Sequence, residues 1–232
     1  MDRVDEGLHA LLRHRPLTGR RRPPTFRDRR DAGRRLARAL PELAAPLVLG
    51  LPRGGVPVAA AVAEELHAPL GVFVVRKLGL PVQPELAMGA IATGGVRVLN
   101  EDVLREGRVS SEVLEEVTRR ESARLAARER LYRGDAPPPE LAGREVVLVD
   151  DGLATGATMR AAVAAAREQA PARVVVAVPV APPETVEAFR RDAIELVCLV
   201  VPRPFVAVGV WYDDFGATSD DEVVELLGRP AS

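Results

Sequence analysis

Lysine is almost missing from this chain. Of 32 basic residues, 31 are arginine, and Lys77 is the single exception. A lone lysine in so arginine-rich a sequence marks a position held by something other than compositional drift. Cysteine is equally scarce: Cys198 stands alone, which excludes a disulfide within the chain. Its setting in Leu196-Val197-Cys198-Leu199-Val200 makes it a core filler, not a nucleophile. The three histidines, His9, His14 and His67, have no metal-ligand spacing with one another or with Cys or Asp, so no histidine-based metal centre is expected. There is no 18-residue apolar run, and no charged stretch leads into an apolar one at the start. Neither a membrane span nor a secretory signal is therefore expected, and a cytoplasmic location is the default.

What is present suffices for one core. With 232 residues, 47% of them apolar, a domain of about 200 residues is expected. The formal net charge is −1, yet residues 1–40 hold 12 Arg against 5 Asp plus Glu. A basic head can meet nucleic acid or an acidic partner, but arginine-rich termini are more often simply solvated, and nucleic acid is not expected here.

The most informative stretch is Val146-Val147-Leu148-Val149-Asp150-Asp151-Gly152-Leu153-Ala154-Thr155-Gly156-Ala157-Thr158. Four apolar residues, three of them valine, suit a central parallel strand covered on both faces. Two adjacent acids then stop it, because charge cannot continue into a dry core without partners. The loop that follows gathers backbone N–H groups, threonine hydroxyls and a helix N-terminus, an arrangement that holds phosphate.

In chain order, residues 1–25 lack periodicity and are rich in breakers, which reads as a flexible arginine-rich extension before a domain spanning 26–232. A helix within Phe26–Leu40 precedes a first strand at Pro46–Leu51, a tight loop Pro52–Pro57 and a helix Val58–Leu66. A second strand, Gly71–Val75, runs into Arg76-Lys77. Residues 79–87, with two prolines and a glycine, read as a long loop or lid. A hairpin Met88–Ala92 and Val96–Leu99 follows, then a short helix capped by Asn100 and a long one from Ser110 or Ser111 to about Tyr132. Strands at 145–150, 173–179 and 194–201 alternate with helices at 157–169 and 183–191. This alternation predicts a doubly wound, mainly parallel α/β sheet, with a core over about 45–201 and hood elements at 79–139 and 202–215. A last strand, Phe205–Tyr212, and a last helix, Asp220–Leu227, complete the expectation.

In such a sheet, ligands sit at the carboxyl ends of the strands. Three unusual segments meet there: Arg53-Gly54-Gly55, Arg76-Lys77, and Asp150–Thr158. A cation beside glycine backbone allows close approach of an anion. Together they make two phosphate-binding places flanking a pair of carboxylates.

This combination resembles the type I phosphoribosyltransferases, and Val146–Thr158 is similar to their signature for the 5-phosphoribosyl 1-diphosphate donor. The resemblance covers roughly residues 26–215 and is greatest to a little-characterised bacterial subgroup of predicted phosphoribosyltransferases. It implies that Asp150 and Asp151 hold the ribose hydroxyls, and that Ala154, Thr155, Gly156, Ala157 and Thr158 hold the 5′-phosphate. Arg53, Gly54 and Gly55 would hold the diphosphate, with Mg²⁺ kept near Asp150 and Asp151 through water. A non-proline cis peptide is expected at Arg53-Gly54. The implied reaction moves the phosphoribosyl group to a nitrogen of a small heterocycle, with Arg53, Arg76 and Lys77 neutralising the departing diphosphate. By the same resemblance, Phe205 and Val206 would border the acceptor and Asp213 would lie near its exocyclic group or a metal, although Phe205 also reads as ordinary core. Ala154 stands where purine-salvage members carry a base-activating Asp, which argues against a 6-oxopurine acceptor; Glu85 is the candidate replacement base. The assembly implied is compatible with a homodimer. The alternative is a regulator of the same fold that binds nucleotide or RNA without turnover.

Overall fold

A computed structural model describes residues 26–228. The expectation of an extension over 1–25 lies outside the described residues. The chain runs α1 (Arg29–Ala37), β1 (Leu47–Gly50), α2 (Gly55–Leu66), β2 (Leu70–Val72), β3 (Val75–Leu80), β4 (Gln83–Ala92), β5 (Val96–Leu99), α3 (Glu101–Glu106) and α4 (Ser111–Arg133). It continues through β6 (Glu145–Val149), α5 (Ala157–Arg167), β7 (Arg173–Val180), α6 (Pro183–Arg191), β8 (Glu195–Val200) and α7 (Asp220–Leu226).

Two sheets result. The larger is wholly parallel, in the order β2-β1-β6-β7-β8. Its central strands are valine- and leucine-rich because both faces are covered, and β1 is buried along its whole length. On one face, Leu36 of α1 and Val58 and Val62 of α2 pack against Val48, Val147 and Ala177. On the other, Met159, Ala162 and Val163 of α5 and Phe189 of α6 pack against Leu49, Leu148 and Val176. The smaller sheet, β3-β4-β5, is antiparallel. Its Leu78, Met88 and Ile91 join Val117, Leu125 and Tyr132 of α4 in a second core.

One register places the site. β1 and β6 are neighbours, with Gly50 opposite Val149, and the Leu51 N–H donates to the Val149 carbonyl at 2.9 Å. The loops leaving both strands therefore emerge side by side.

Several expectations are corrected. Residues 79–87 are not a long loop, because β3 and β4 form one hairpin that turns at Pro81-Val82. Register shifts on both sides of Gly79 break the period-two pattern that would have revealed it. The expected strand Gly71–Val75 is split: Leu70–Val72 pairs with β1, whereas Val75 already belongs to the second sheet. Phe205–Tyr212 is not a strand. Its 3₁₀ turn, Val208–Trp211, folds back toward Phe26, and Pro202 and Pro204 remove donors that a further ladder would need. The α2 helix begins at Gly55, so Pro57 lies in its first turn, where its missing N–H costs nothing. The non-proline cis peptide is Pro52-Arg53, one bond earlier than expected.

Packing of α1 on α2 is close at Gly33. A β-carbon there would collide with the Val58 carbonyl oxygen and lie 2.7 Å from Ala61 Cβ. Gly33→Ala is expected to destabilise the fold by about 1–3 kcal/mol through overpacking, read as a lower midpoint in thermal denaturation followed by circular dichroism. An unchanged midpoint would mean that α1 shifts freely on α2.

Candidate functional site

Asp150 and Asp151 leave the end of β6 with little solvent around them. The Asp151 N–H donates to Asp150 Oδ1 at 2.9 Å. Burial, and then the Asp151 charge, hold the Asp150 carboxyl well above the usual carboxylate range. Burial also raises Asp151, partly offset by the Arg29 guanidinium. Against this pair lies the loop after β1. A β-carbon on Gly54 would run into the Asp151 carboxylate, and one on Gly55 would come within 2.6 Å of the Val149 carbonyl and 2.8 Å of Asp150 Cα. Only glycine permits so close an approach.

The loop Ala154–Thr158 wraps the start of α5. Gly156 has φ +70°, and a β-carbon there would lie 2.6 Å from the Phe189 ring. Both the backbone conformation and the ring exclude a side chain. Thr185, in the first turn of α6, donates its hydroxyl to the Ala154 carbonyl at 2.6 Å and so pins the loop from below. The helices α2 and α5 both begin at glycine N-caps without a side-chain cap. In α5 this leaves first-turn N–H groups for an anion, whereas in α2 the Gly55 and Val56 N–H groups already donate to the Leu51 and Arg53 carbonyls and Pro57 has none. Thr155, Ala157 and Thr158 are exposed.

Across from this loop stands Lys77. Lys77, Ala90, Val98, Leu99, Thr155 and Thr158 border one cavity of about 650 Å³. Arg76 is the preceding residue on β3 and so faces the other way, toward α4. Its Nε and a terminal nitrogen donate to Glu121 Oε2 at 3.1 and 2.8 Å. Burial alone would raise the Glu121 carboxyl, but bonds from Arg76 and Arg120 outweigh it and hold it low. The structure thus brings Lys77, and not Arg76, to the cavity bordered by Thr155 and Thr158. Arg53 is exposed, and its charge helps Tyr132 and Arg128 hold the Asp220 carboxyl below its usual range, which puts Arg53 toward the start of α7.

The acceptor candidates lie elsewhere. Phe205 is half-buried against the cluster of Phe26, Val180, Trp211 and Tyr212, and borders a separate groove with Pro183, Glu187 and Pro202. Val206 is 74% exposed, and Asp213 is exposed with its N–H donated to the Phe26 carbonyl at 2.8 Å. None of the three borders the Lys77 cavity. Glu85 has its backbone in β4, while its side chain lies outside the described residues. No group of three His, Cys, Asp or Glu side chains with metal-binding placement occurs among the described residues. Burial pushes the Cys198 thiol up to about 11, so it stays protonated near neutral pH.

Two side chains at the site carried no sequence signal. Arg29 of α1 donates from Nε to Asp151 Oδ2 at 2.9 Å. Tyr212 donates its hydroxyl to the Asp151 carbonyl at 2.5 Å, and burial together with the nearby Asp151 charge pushes its pKa up, keeping it a donor. Arg29 is one of many arginines near the start, and Tyr212 is 61 residues from its partner, so only the fold singles them out.

A family model described as a phosphoribosyl transferase domain matches residues 30–214. Proteins of two Mycobacterium tuberculosis strains, H37Rv and CDC 1551, provisionally named phosphoribosyl transferases, are each 52% identical over 206 residues. That match covers 88% of this chain and 46% of each relative, so the chain spans about half their length. Among solved structures, TT1426 from Thermus thermophilus is 49% identical, with a TM-score of 0.81, over 88% of this chain and 97% of that one.

The buried acids generate a stability prediction. A carboxyl whose folded pKa lies above its ordinary 3.8 favours folding fully only below that value, and this contribution is lost as pH rises through the raised pKa. Asp150→Asn keeps an oxygen for the Asp151 N–H but carries no charge. The variant should therefore melt at a higher temperature than the parent near neutral pH, with the gain vanishing in acid. A gain that persists in acid would exclude ionisation as its source.

Proposed function

This chain belongs to the phosphoribosyl transferase domain family, and from that membership we propose that it transfers a 5-phosphoribosyl group from 5-phosphoribosyl 1-diphosphate to a nitrogen of a small heterocyclic acceptor, releasing diphosphate. The observation that carries this reading is the contact of Gly54-Gly55 with Asp150-Asp151, beside a phosphate loop that faces Lys77.

In this reading Asp150 and Asp151 accept hydrogen bonds from the two ribose hydroxyls. The N–H groups at the start of α5 and the hydroxyls of Thr155 and Thr158 take the 5′-phosphate. The diphosphate lies along Gly54-Gly55 at the start of α2, with Arg53 and Lys77 as its counter-charges. The bond from ribose C1 to the diphosphate oxygen breaks as the acceptor nitrogen bonds to C1, and the proton that nitrogen sheds passes to water. Positive charge builds on the ring while negative charge builds on the leaving group. The protein's part is positioning and neutralisation, with no covalent intermediate on the chain.

The donor set fits a magnesium ion held mostly by substrate and water, since two adjacent carboxylates without a third ligand among the described residues make an open site and not a cage. Asp150 and Asp151 would hold it through water, and when bound it would supply further charge neutralisation at the diphosphate. Arg76 acts indirectly here, by fixing β3 to α4 through Glu121. A cytoplasmic setting and a role in base salvage accord with such chemistry.

Diphosphate release from the donor, assayed over a panel of heterocyclic bases, tests the proposal. Turnover with at least one base is expected, and tight nucleotide or RNA binding with no turnover would favour a regulator instead. Asp150→Asn combined with Asp151→Asn should abolish donor binding in calorimetry while leaving the circular dichroism spectrum unchanged. Lys77→Ala should lower turnover by about a hundredfold, the scale of losing one charge-stabilising donor, with a much smaller loss of donor affinity. If neither changes, Lys77 is a surface residue.

A further inference from the structure

Arg29 makes more of Asp151 than a surface ion pair would require. Its Nε and a terminal nitrogen both lie 2.9 Å from the same carboxylate oxygen, Oδ2. Its remaining terminal nitrogen donates to the Gly216 carbonyl at 2.7 Å, and its guanidinium carbon lies 3.9 Å from the centre of the Phe215 ring. The two side chains are 12% and 16% exposed, so solvent screens the pair weakly. By contrast, Arg30, Arg34 and Arg38, on or just past the same helix, pair with Glu64 and Glu65 at the surface.

The elements that carry Arg29 are themselves fastened. The Phe26 N–H donates to the Trp211 carbonyl, the Asp213 N–H to Phe26 and the Asp214 N–H to Arg27, each at 2.8 Å. The Asp28 carboxylate caps α1 through the Asp31 N–H at 2.7 Å. Segments from the two ends of the domain thus form a clasp whose inner member is Arg29.

We infer that Arg29 is a positioning residue of the donor site, which rests on the phosphoribosyl donor reading above. It engages Oδ2 of Asp151 and thereby fixes the carboxylate plane, so that Oδ1 is presented to the ribose hydroxyls. Two adjacent carboxylates would otherwise rotate apart to lower their repulsion. One guanidinium supplies the opposing charge and, through three separate directions of contact, the orientation. Lysine has no planar fork and cannot satisfy carboxylate, carbonyl and ring at once.

Calorimetric titration of the full chain with 5-phosphoribosyl 1-diphosphate, and separately with inorganic diphosphate, both with Mg²⁺ present, tests this. Arg29→Met should weaken donor binding by about tenfold, the scale of one misaligned charge-assisted hydrogen bond. Inorganic diphosphate carries no ribose and should bind Arg29→Met as it binds the parent. Arg29→Lys should recover only part of the donor affinity. In an Asp151→Asn background, Arg29→Met should cost nothing further, since the two residues act as one unit. Equal losses for both probes, an unchanged donor affinity, or additive losses in the double variant would overturn the inference. Thermal melts identify variants that do not fold, and if Arg29→Met is one, Arg29→Lys carries the comparison alone. A parent chain that fails to bind the donor would sink the proposed function itself, whereas a parent that binds it and an Arg29 variant that binds it equally well would sink this inference alone.

Discussion

Two carboxylates next to each other at the end of a buried strand are an electrostatic conflict, and much of the architecture around them answers it. Burial disfavours the charge on Asp150 and Asp151, and the Asp151 charge disfavours that of its neighbour further. The fold does not relieve this by opening the pair to water. It places glycine backbone against them on one side and a single guanidinium on another. The tyrosine at 212 fixes the backbone at Asp151. Carboxyls perturbed in this way are characteristic of functional sites.

Most of the parallel sheet was legible in the sequence, because its strands are short apolar runs separated by helices at regular spacing. Val146–Val149 is the clearest case, since burial on both faces removes any alternation and leaves a plain hydrophobic stretch. The second sheet was only half legible. The turn between β4 and β5 has two glycines at positive φ, Gly94 and Gly95, and could be read from composition. The β3–β4 hairpin could not, since an irregular register around Gly79 and prolines near its tip imitate a loop. Segment 205–212 is the converse: it has the apolar composition of a strand, but among the described residues no neighbouring strand receives it.

The same division holds at the site. Residues adjacent in sequence and of unusual type, such as Asp150-Asp151 and Gly54-Gly55, announced themselves, and strand order then brought them together. Lys77 was conspicuous by rarity, and it borders the same cavity as Thr155 and Thr158. Arg76 looked like its equal, yet strand geometry sends neighbouring side chains to opposite faces, and Glu121 holds it there. Arg29 and Tyr212 were invisible because their importance lies entirely in long-range pairing with Asp151.

That pairing runs beside a residue with useful optical properties. Trp211 is the only tryptophan in the chain, 8% exposed, and its carbonyl accepts the Phe26 N–H next to the tyrosine that binds Asp151. Its indole N–H has no hydrogen-bond partner among the described residues. The tryptophan fluorescence of the whole chain therefore comes from a single emitter, packed with Phe26 and Val180 one residue before the tyrosine that binds Asp151. Emission spectra thus report on the packing between Phe26 and Tyr212 without an added label.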